Sequence, residues 1–145
     1  MNNVIQRVTE FTLTRGSQDF PDSVLQAAAL MTLDTMGIVI GSSPMLAGTI
    51  ARDVTARLYG TNDEKFSARM AFDGRRVSVA GAAYAAATQT DNLDGHDGYN
   101  PSKGHIGVAV VPALVALAET VPDFSGAETL ATVAIGYEIA GRAGI

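Results

Sequence analysis

One stretch of the sequence, DNLDGHDGYNPSKGHIG, holds most of the side chains that could do proton chemistry, and it runs from Asp91 to Gly107. It contains three aspartates, one lysine and both of the chain's two histidines among four glycines. Aspartate and histidine together can move protons near neutral pH, and lysine can hold an anionic group. The stretch therefore predicts a functional site for a small ligand.

The position of the aspartates relative to the predicted helices narrows this prediction. Asp91 and Asp94 come at the C-terminal end of an alanine-rich segment, where the helix dipole disfavours an unpaired carboxylate. We therefore expect His96, Lys103 or His105 to lie close to them. His105 comes at or near the first turn of the next predicted helix, whose backbone N–H groups suit the carboxylate of a bound substrate.

The glycines support a binding site because they let the backbone turn tightly and approach a ligand closely. Two other interpretations remain open at this point. Asp, Gly, Asn, Pro and Ser are also the residues of an ordinary solvated turn. Asp and His are also ligands for zinc, manganese or iron, although the stretch has no compact His-x-x-x-His or His-x-Asp pattern on a helix.

Three polar residues outside the stretch could have either a structural or a functional role. Asp34 lies in the middle of an apolar segment, where a carboxylate bonded to backbone or hydroxyl groups is the simplest expectation. Tyr137 and Glu138 are similarly placed in the last apolar segment. We expect all three to be structural.

Composition limits the function classes. The 145 residues are 47% hydrophobic, which is enough to bury a core in one domain. The net charge of -5 and the pI near 4.8 argue against nucleic acid as a partner. Without cysteine the chain forms no disulfide and no thiolate-ligated metal site. No signal peptide is recognised and the apolar runs look too short for a membrane span, so we expect a soluble, cytoplasmic protein with no membrane partner.

Hydrophobic periodicity and capping signals predict a mainly α fold, a helical bundle of about six helices with a short β-hairpin near residues 66–78. The second helix, from about Pro21 to Gly41, is apolar nearly all round and should be central. Ser42 or Ser43 before Pro44 signals the start of a third helix, antiparallel to the second.

The remaining segments also have recognisable signals. Asp73-Gly74 predicts a type I′ turn in the hairpin. The alanine-rich run after Ser78 should be a buried helix that crosses a neighbour closely. The segment after the chemistry-bearing stretch should be a helix despite Pro112, and the last helix begins with a capping pattern at Ser125.

Several motifs, in this order, resemble the MmgE/PrpD family, which includes 2-methylcitrate dehydratase and cis-aconitate decarboxylase. They are LDTMG, DNLDGHDG followed by KGHIGVAVVPALVALAE, and IGYEIAGR, and together they cover almost the whole chain. The resemblance implies a lyase or epimerase that acts on small di- or tricarboxylic acids by proton transfer next to a carboxylate. It implies no metal and no organic cofactor.

The resemblance also assigns roles to individual residues. Asp91 matches the first aspartate of the family's DFDD-type motif, and His105 matches the histidine before a Pro/Ala-x-Gly turn, so these two are the leading catalytic candidates. Gly95 stands where the decarboxylase branch has a threonine, in a loop longer than in that branch. The full set of candidates is catalytic Asp91, His105 and His96, and substrate-binding Lys103, Asp94 and Gly104, with no metal ligand.

The resemblance further implies that residues 1–145 form an N-terminal helical domain, and that a C-terminal lid domain lies outside it and completes the site. We therefore expect a homodimer or a partner chain that supplies the C-terminal half, with a small carboxylic acid as substrate. The alternative is a non-catalytic helical subunit or fragment that binds a partner chain.

Overall fold

The structure, a computed structural model, describes residues 2–95 and 97–145. Six α-helices and two short β-hairpins form from these residues, so the mainly α fold of about six helices is confirmed. The helices are α1 (Asn2–Thr14), α2 (Asp22–Ser42), α3 (Leu46–Leu58), α4 (Val79–Leu93), α5 (Gly107–Ala118) and α6 (Gly126–Ala143). The strands are β1 (Ser67–Arg69), β2 (Arg76–Ser78), β3 (Gly98–Tyr99) and β4 (Gly104–His105).

Helix α4 is the element on which α2, α3, α5 and the β1–β2 hairpin all pack. Ser78 caps its first turn and accepts the Gly81 N–H at 3.1 Å. A Cβ at Gly81 would lie 2.5 Å from the Cβ of Tyr59, so the α3 and α4 backbones approach closely only because this position has no side chain. The predicted close crossing of the alanine-rich helix is therefore confirmed.

Two groups of buried apolar side chains form the core. One joins the β1–β2 hairpin to α4 and α5, and the other joins α2, α5 and α6. Ala and Val predominate in both, which keeps the distances between helices short. The first group comprises Ala68, Met70, Val77, Ala82, Ala85 and Ala116, and the second comprises Ala28, Val111, Leu114 and Val133.

Helix α2 is less buried than its composition predicts. Leu30 and Leu33 are 68% and 69% exposed, and the carboxylate-bearing Asp34 is also exposed rather than buried. The expectations of a central helix and of a buried Asp34 are therefore wrong for this chain. The physical reason is that neighbouring helices cover only one side of α2, at positions such as Ala28, Thr35 and Val39.

The expectation that no apolar segment reaches the length of a membrane span is also wrong for α2. Its 21 residues include an 18-residue window with a mean hydropathy of 1.6, of which 17% is buried. Core helices of soluble proteins and N-terminal signal sequences meet the same criterion of length and composition. The cytoplasmic location and the lack of a membrane partner remain predictions.

The ends of two helices test the capping signals. Helix α2 continues through Ser42, and α3 begins after Met45 with no side-chain cap, so the predicted serine cap is wrong. Helix α3 packs mainly on α4 rather than along α2. The capping box at the start of α6 is confirmed, because Ser125 accepts the Glu128 N–H and Glu128 accepts the Ser125 N–H.

The β1–β2 hairpin is confirmed, with Ala68 opposite Val77, but its turn is not type I′. A type I′ turn needs positive φ at both central residues, whereas here Phe72 (φ 58°) and Gly74 (φ 84°) are left-handed and Asp73 between them is not. The Asp73 carboxylate instead organises the loop. It accepts the Arg75 guanidinium at 2.6 Å and lies 3.3 Å from Arg52 of α3.

We predict that Gly81→Ala destabilises the chain by about 1–3 kcal/mol, because the added methyl group overpacks the contact between α3 and α4. Gly37→Ala is the matched control, since Gly37 is also helical and a Cβ added there would have no atom within 4 Å. The control should be neutral or stabilising by up to about 1 kcal/mol. Urea unfolding measures both, and equal effects at the two positions would contradict the close crossing.

We also predict that Asp73→Asn lowers the free energy of unfolding by about 2 kcal/mol at neutral pH, because it removes charge-assisted hydrogen bonds. The hydrogen bond from the Arg75 side chain, opposed by burial, holds the pKa of Asp73 below its ordinary value. Stability from this carboxylate is therefore present above about pH 4 and is lost as the pH falls through the lowered pKa.

Urea unfolding of both proteins across the acid range checks this prediction, and the difference between them should disappear at the acid end. Asp53→Asn is the matched control, because Asp53 also pairs with Arg75, at 2.9 Å, but its side chain is 50% exposed. The control should cost less than about 1 kcal/mol. A larger cost for Asp53→Asn than for Asp73→Asn would refute the role given to Asp73.

Candidate functional site

The chemistry-bearing stretch contains a small antiparallel hairpin instead of an irregular loop. Gly98 pairs with His105 and Tyr99 pairs with Gly104. A 3₁₀ turn over Asn100–Ser102 connects the strands, and Lys103 closes it in the left-handed conformation (φ 53°). Two-residue strands show no alternating pattern in the sequence, so periodicity could not reveal them.

The end of α4 brings one predicted carboxylate to His105. Asp94 adopts the left-handed conformation (φ 49°) just after the helix, and its N–H donates to the Asp91 carbonyl oxygen at 3.1 Å. The Asp94 Oδ1 lies 4.0 Å from the His105 Nε2, and the two side chains are 85% and 37% exposed. This contact is an ion pair when the imidazole is protonated. Asp91 lies one turn earlier on α4 and is exposed.

The other predicted site residues are distributed around the hairpin. Lys103 is exposed, and its Nζ donates to the Asn100 Oδ1 at 2.9 Å, so a substrate anion would share or replace this hydrogen bond. Gly104 is half-buried in β4. His96 lies outside the described residues, and its catalytic role stays a prediction.

Asp97 occupies the place at the start of α5 that we expected a substrate carboxylate to take. Its Oδ1 accepts the Gly107 N–H at 3.2 Å. Further along the first turn, the N–H groups of Ala109 and Val110 donate to the Ile106 carbonyl oxygen. The expectation that this helix start offers its N–H groups to a substrate is therefore wrong at Gly107, because the chain supplies its own carboxylate there.

Two buried hydroxyl groups converge on the same point. A Cβ at Gly107 would lie 2.3 Å from the Tyr137 hydroxyl, 2.4 Å from the Asp97 Oδ1 and 3.0 Å from the Thr35 Oγ1. Both hydroxyl oxygens are buried without a well-aligned hydrogen-bond partner among the described residues. Burial, followed by the interaction with the Asp97 carboxylate, raises the pKa of Tyr137 well above its usual range, so the phenol is neutral.

A cavity of about 470 Å³ lies beside this junction, which is large enough for a small carboxylic acid. Its walls are mostly apolar side chains of α2 and α6, and Arg142 and Glu138, which form an ion pair with each other, contribute opposite charges. Asp97, Gly98 and Tyr137 also line it. Since Gly98 is the strand partner of His105, the cavity and the predicted catalytic histidine adjoin the same small hairpin.

Sequence reasoning did not identify Asp97 or Thr35 as parts of a site, and it interpreted Tyr137 as structural. Asp97 was inside the chemistry-bearing stretch, but nothing local distinguishes it from its neighbouring aspartates. Thr35 and Tyr137 are far from it in sequence. In the part of the chain that the structure describes, no group of three or more His, Asp or Glu side chains is arranged to hold a metal ion.

Comparison with known proteins places the chain in a family. The family model described as the MmgE/PrpD N-terminal domain matches residues 6–145. No curated protein and no solved structure is a significant match to the chain.

We predict that Tyr137→Phe makes the chain less sensitive to alkaline pH. Because the folded state raises the pKa of Tyr137, the neutral phenol stabilises the fold fully below about pH 10 and this contribution is lost above it. Urea unfolding on both sides of pH 10 measures the change. Tyr84→Phe is the control, because Tyr84 is 49% exposed. If both variants reduced the loss of stability at alkaline pH by the same amount, the prediction would be contradicted.

Proposed function

Because the chain belongs to the MmgE/PrpD family, we propose that it is the N-terminal helical part of a cofactor-independent lyase or epimerase. Its substrates are small di- or tricarboxylic acids, from which it removes a proton next to a carboxylate. The family, whose members are dehydratases and lyases, supports this reaction class. The observation that carries the proposal is the approach of Asp94, at the end of α4, to within 4.0 Å of His105 in a hairpin whose other strand lines a cavity of suitable size.

The proposed chemistry needs one base and one acid on the same small ligand. In a dehydration, the base takes the proton from the carbon next to the carboxylate. The acid protonates the hydroxyl group of the neighbouring carbon, which leaves as water while the double bond forms. We assign His105 and Asp91 to these two roles, with His96 as a further candidate. Decarboxylation and epimerisation use the same groups to return a proton to carbon.

Binding of a carboxylate substrate needs a cationic side chain and a stretch of backbone that the substrate can approach closely. Lys103 is the proposed anchor for a substrate carboxylate, as a point charge that would exchange its hydrogen bond with Asn100 for the anion. Asp94 positions the imidazole of His105, and Gly104, beside it in β4, lets the substrate approach the backbone. No cofactor or metal takes part in the proposed reaction.

The proposed site is exposed to solvent in this chain. Asp91, Asp94, Lys103 and His105 are all on the surface, whereas proton abstraction from carbon is favoured in a site from which water is excluded. We therefore propose that a C-terminal half, in the same polypeptide or in a partner chain, covers these residues and completes the site.

A second candidate function is a non-catalytic helical subunit that binds a partner chain. The specific observation in its favour is the number of large apolar side chains left in solvent, among them Leu30, Leu33 and Leu58, which are 68%, 69% and 73% exposed. Leu30 and Leu33 lie one turn apart on α2, and neighbouring apolar groups in solvent favour a surface that binds another polypeptide. Both candidate functions require association, and turnover distinguishes them.

We predict that the isolated 145-residue chain self-associates, as a homodimer, or needs a second polypeptide to remain in solution, and that it has no lyase activity alone. Light scattering over a concentration series measures association. Assays with 2-methylcitrate and cis-aconitate measure turnover. A stable monomer would contradict the argument from exposed apolar surface, and turnover by the isolated chain would contradict the incomplete site.

We further predict that His105→Gln reduces kcat by about 10²- to 10⁴-fold in the assembly that turns over, because an imidazole that transfers protons is lost. Lys65→Gln is the control, since this exposed residue lies in the turn before β1. Steady-state kinetics with both substrates measures the change. Unchanged kcat in His105→Gln would remove this histidine from the mechanism.

A further inference from the structure

His105 is the residue to which the proposed function gives a catalytic role. Two consecutive residues, Asp97 and Gly98, hold the backbone around it. Gly98 pairs with His105 across the β3–β4 hairpin. Asp97, the residue immediately before Gly98, accepts the N–H of Gly107, two residues after His105. The Asp97 carboxylate thereby fastens the open end of the hairpin to the first residue of α5.

Two buried hydroxyl groups, one from each of two helices, lie at this junction. Thr35 of α2 is fully buried, and Tyr137 of α6 is half-buried. Their hydroxyl oxygens lie within 3.0 Å of the same point as the Asp97 Oδ1, namely the position that a side chain at Gly107 would occupy. The absence of a side chain at Gly107 is what allows three oxygen atoms from three elements to meet there.

We propose that Asp97 is a positioning residue for His105, and that the hydroxyl groups of Thr35 and Tyr137 hold its carboxylate at the start of α5. The proposal rests on the catalytic role of His105 proposed above. In this mechanism Asp97 transfers no proton. It acts through the backbone of the hairpin, which carries the imidazole toward Asp94.

The charge of Asp97 has a specific purpose in this arrangement. A carboxylate at a helix N-terminus is favoured by the helix dipole and makes a stronger hydrogen bond to the backbone N–H than a neutral amide does. An asparagine keeps an oxygen that can accept the Gly107 N–H, whereas an alanine leaves this donor without a partner. We therefore expect His105 to be held most firmly in the wild type, less firmly in Asp97→Asn and least firmly in Asp97→Ala.

Substitutions at the Thr35 hydroxyl group test the proposal without changing the charge of Asp97. Thr35→Val removes a hydroxyl at nearly constant volume, and Thr35→Ser keeps it. The matched control is Thr55→Val, because Thr55 is equally buried, is helical and also has a hydroxyl without a well-aligned partner, but it lies in α3. A purely structural effect would be similar in Thr35→Val and Thr55→Val.

The first experiment is structural and needs no substrate. The chain has two histidines, so the imidazole Cε1–H signal of His105 can be assigned in an NMR spectrum from its loss in His105→Gln. Asp97→Asn, Thr35→Val and Tyr137→Phe should each shift or broaden this signal at a fixed pH. Thr35→Ser and Thr55→Val should leave it in place. An unmoved signal in Asp97→Asn and Thr35→Val would overturn the proposal.

The second experiment is kinetic and uses the assembly that turns over 2-methylcitrate or cis-aconitate. Because a small misplacement of a catalytic group costs up to about 10²-fold, Asp97→Asn and Thr35→Val should lower kcat by about 10- to 100-fold and change KM by less than about twofold. Thr35→Ser, which keeps the hydroxyl group, should have the kcat of the wild type. A rise in KM with constant kcat would overturn the positioning role.

The two experiments separate this inference from the proposed function. If His105→Gln leaves turnover unchanged while the imidazole signal still responds to Thr35→Val and not to Thr55→Val, the proposed chemistry is wrong and the junction still positions the hairpin. If His105→Gln abolishes turnover and the imidazole signal does not change in Asp97→Asn and Thr35→Val, the proposed chemistry stands and the inference is wrong.

Discussion

The close approach of α4 to its neighbours is the constraint on which the rest of the structure depends. The small residues of its buried face, among them Gly81, Ala82 and Ala85, let α3, α5 and the β1–β2 hairpin pack on one helix. Interiors pack tightly, so small side chains here shorten the distances between helices without leaving space. The C-terminal end of α4, which carries Asp91 and Asp94, is thereby fixed relative to the start of α5.

Charged groups then fix the parts that packing leaves loose. Arg52 on α3 donates to the buried Gln89 of α4 and also lies beside Asp73, so one guanidinium joins two helices to the β1–β2 loop. Asp97 does the same for the second hairpin, where it meets the Gly107 N–H. In both cases a charged side chain bonds a polar group of another segment that would be costly to bury alone.

The distribution of exposed groups ties this fold to its proposed function. The side chains of Asp91, Asp94, Lys103 and His105 are on the surface, and α2 has large apolar side chains in solvent. Both features are explained if these surfaces bind a further polypeptide. In that assembly the apolar side chains would lose their contact with water, and the His105 imidazole would work in a site of lower dielectric.

Local signals in the sequence were sufficient for the helices, the capping box at Ser125, the β1–β2 hairpin and the segment that holds the chemistry, because each depends on residues within a few positions of one another. Three features were decided by the tertiary structure alone. They are the exposure of α2, the turn at Asp73 and the junction of Asp97 with Thr35 and Tyr137. Each depends on which distant segments the packing of the helices brings together, and hydrophobic periodicity carries no information on that choice.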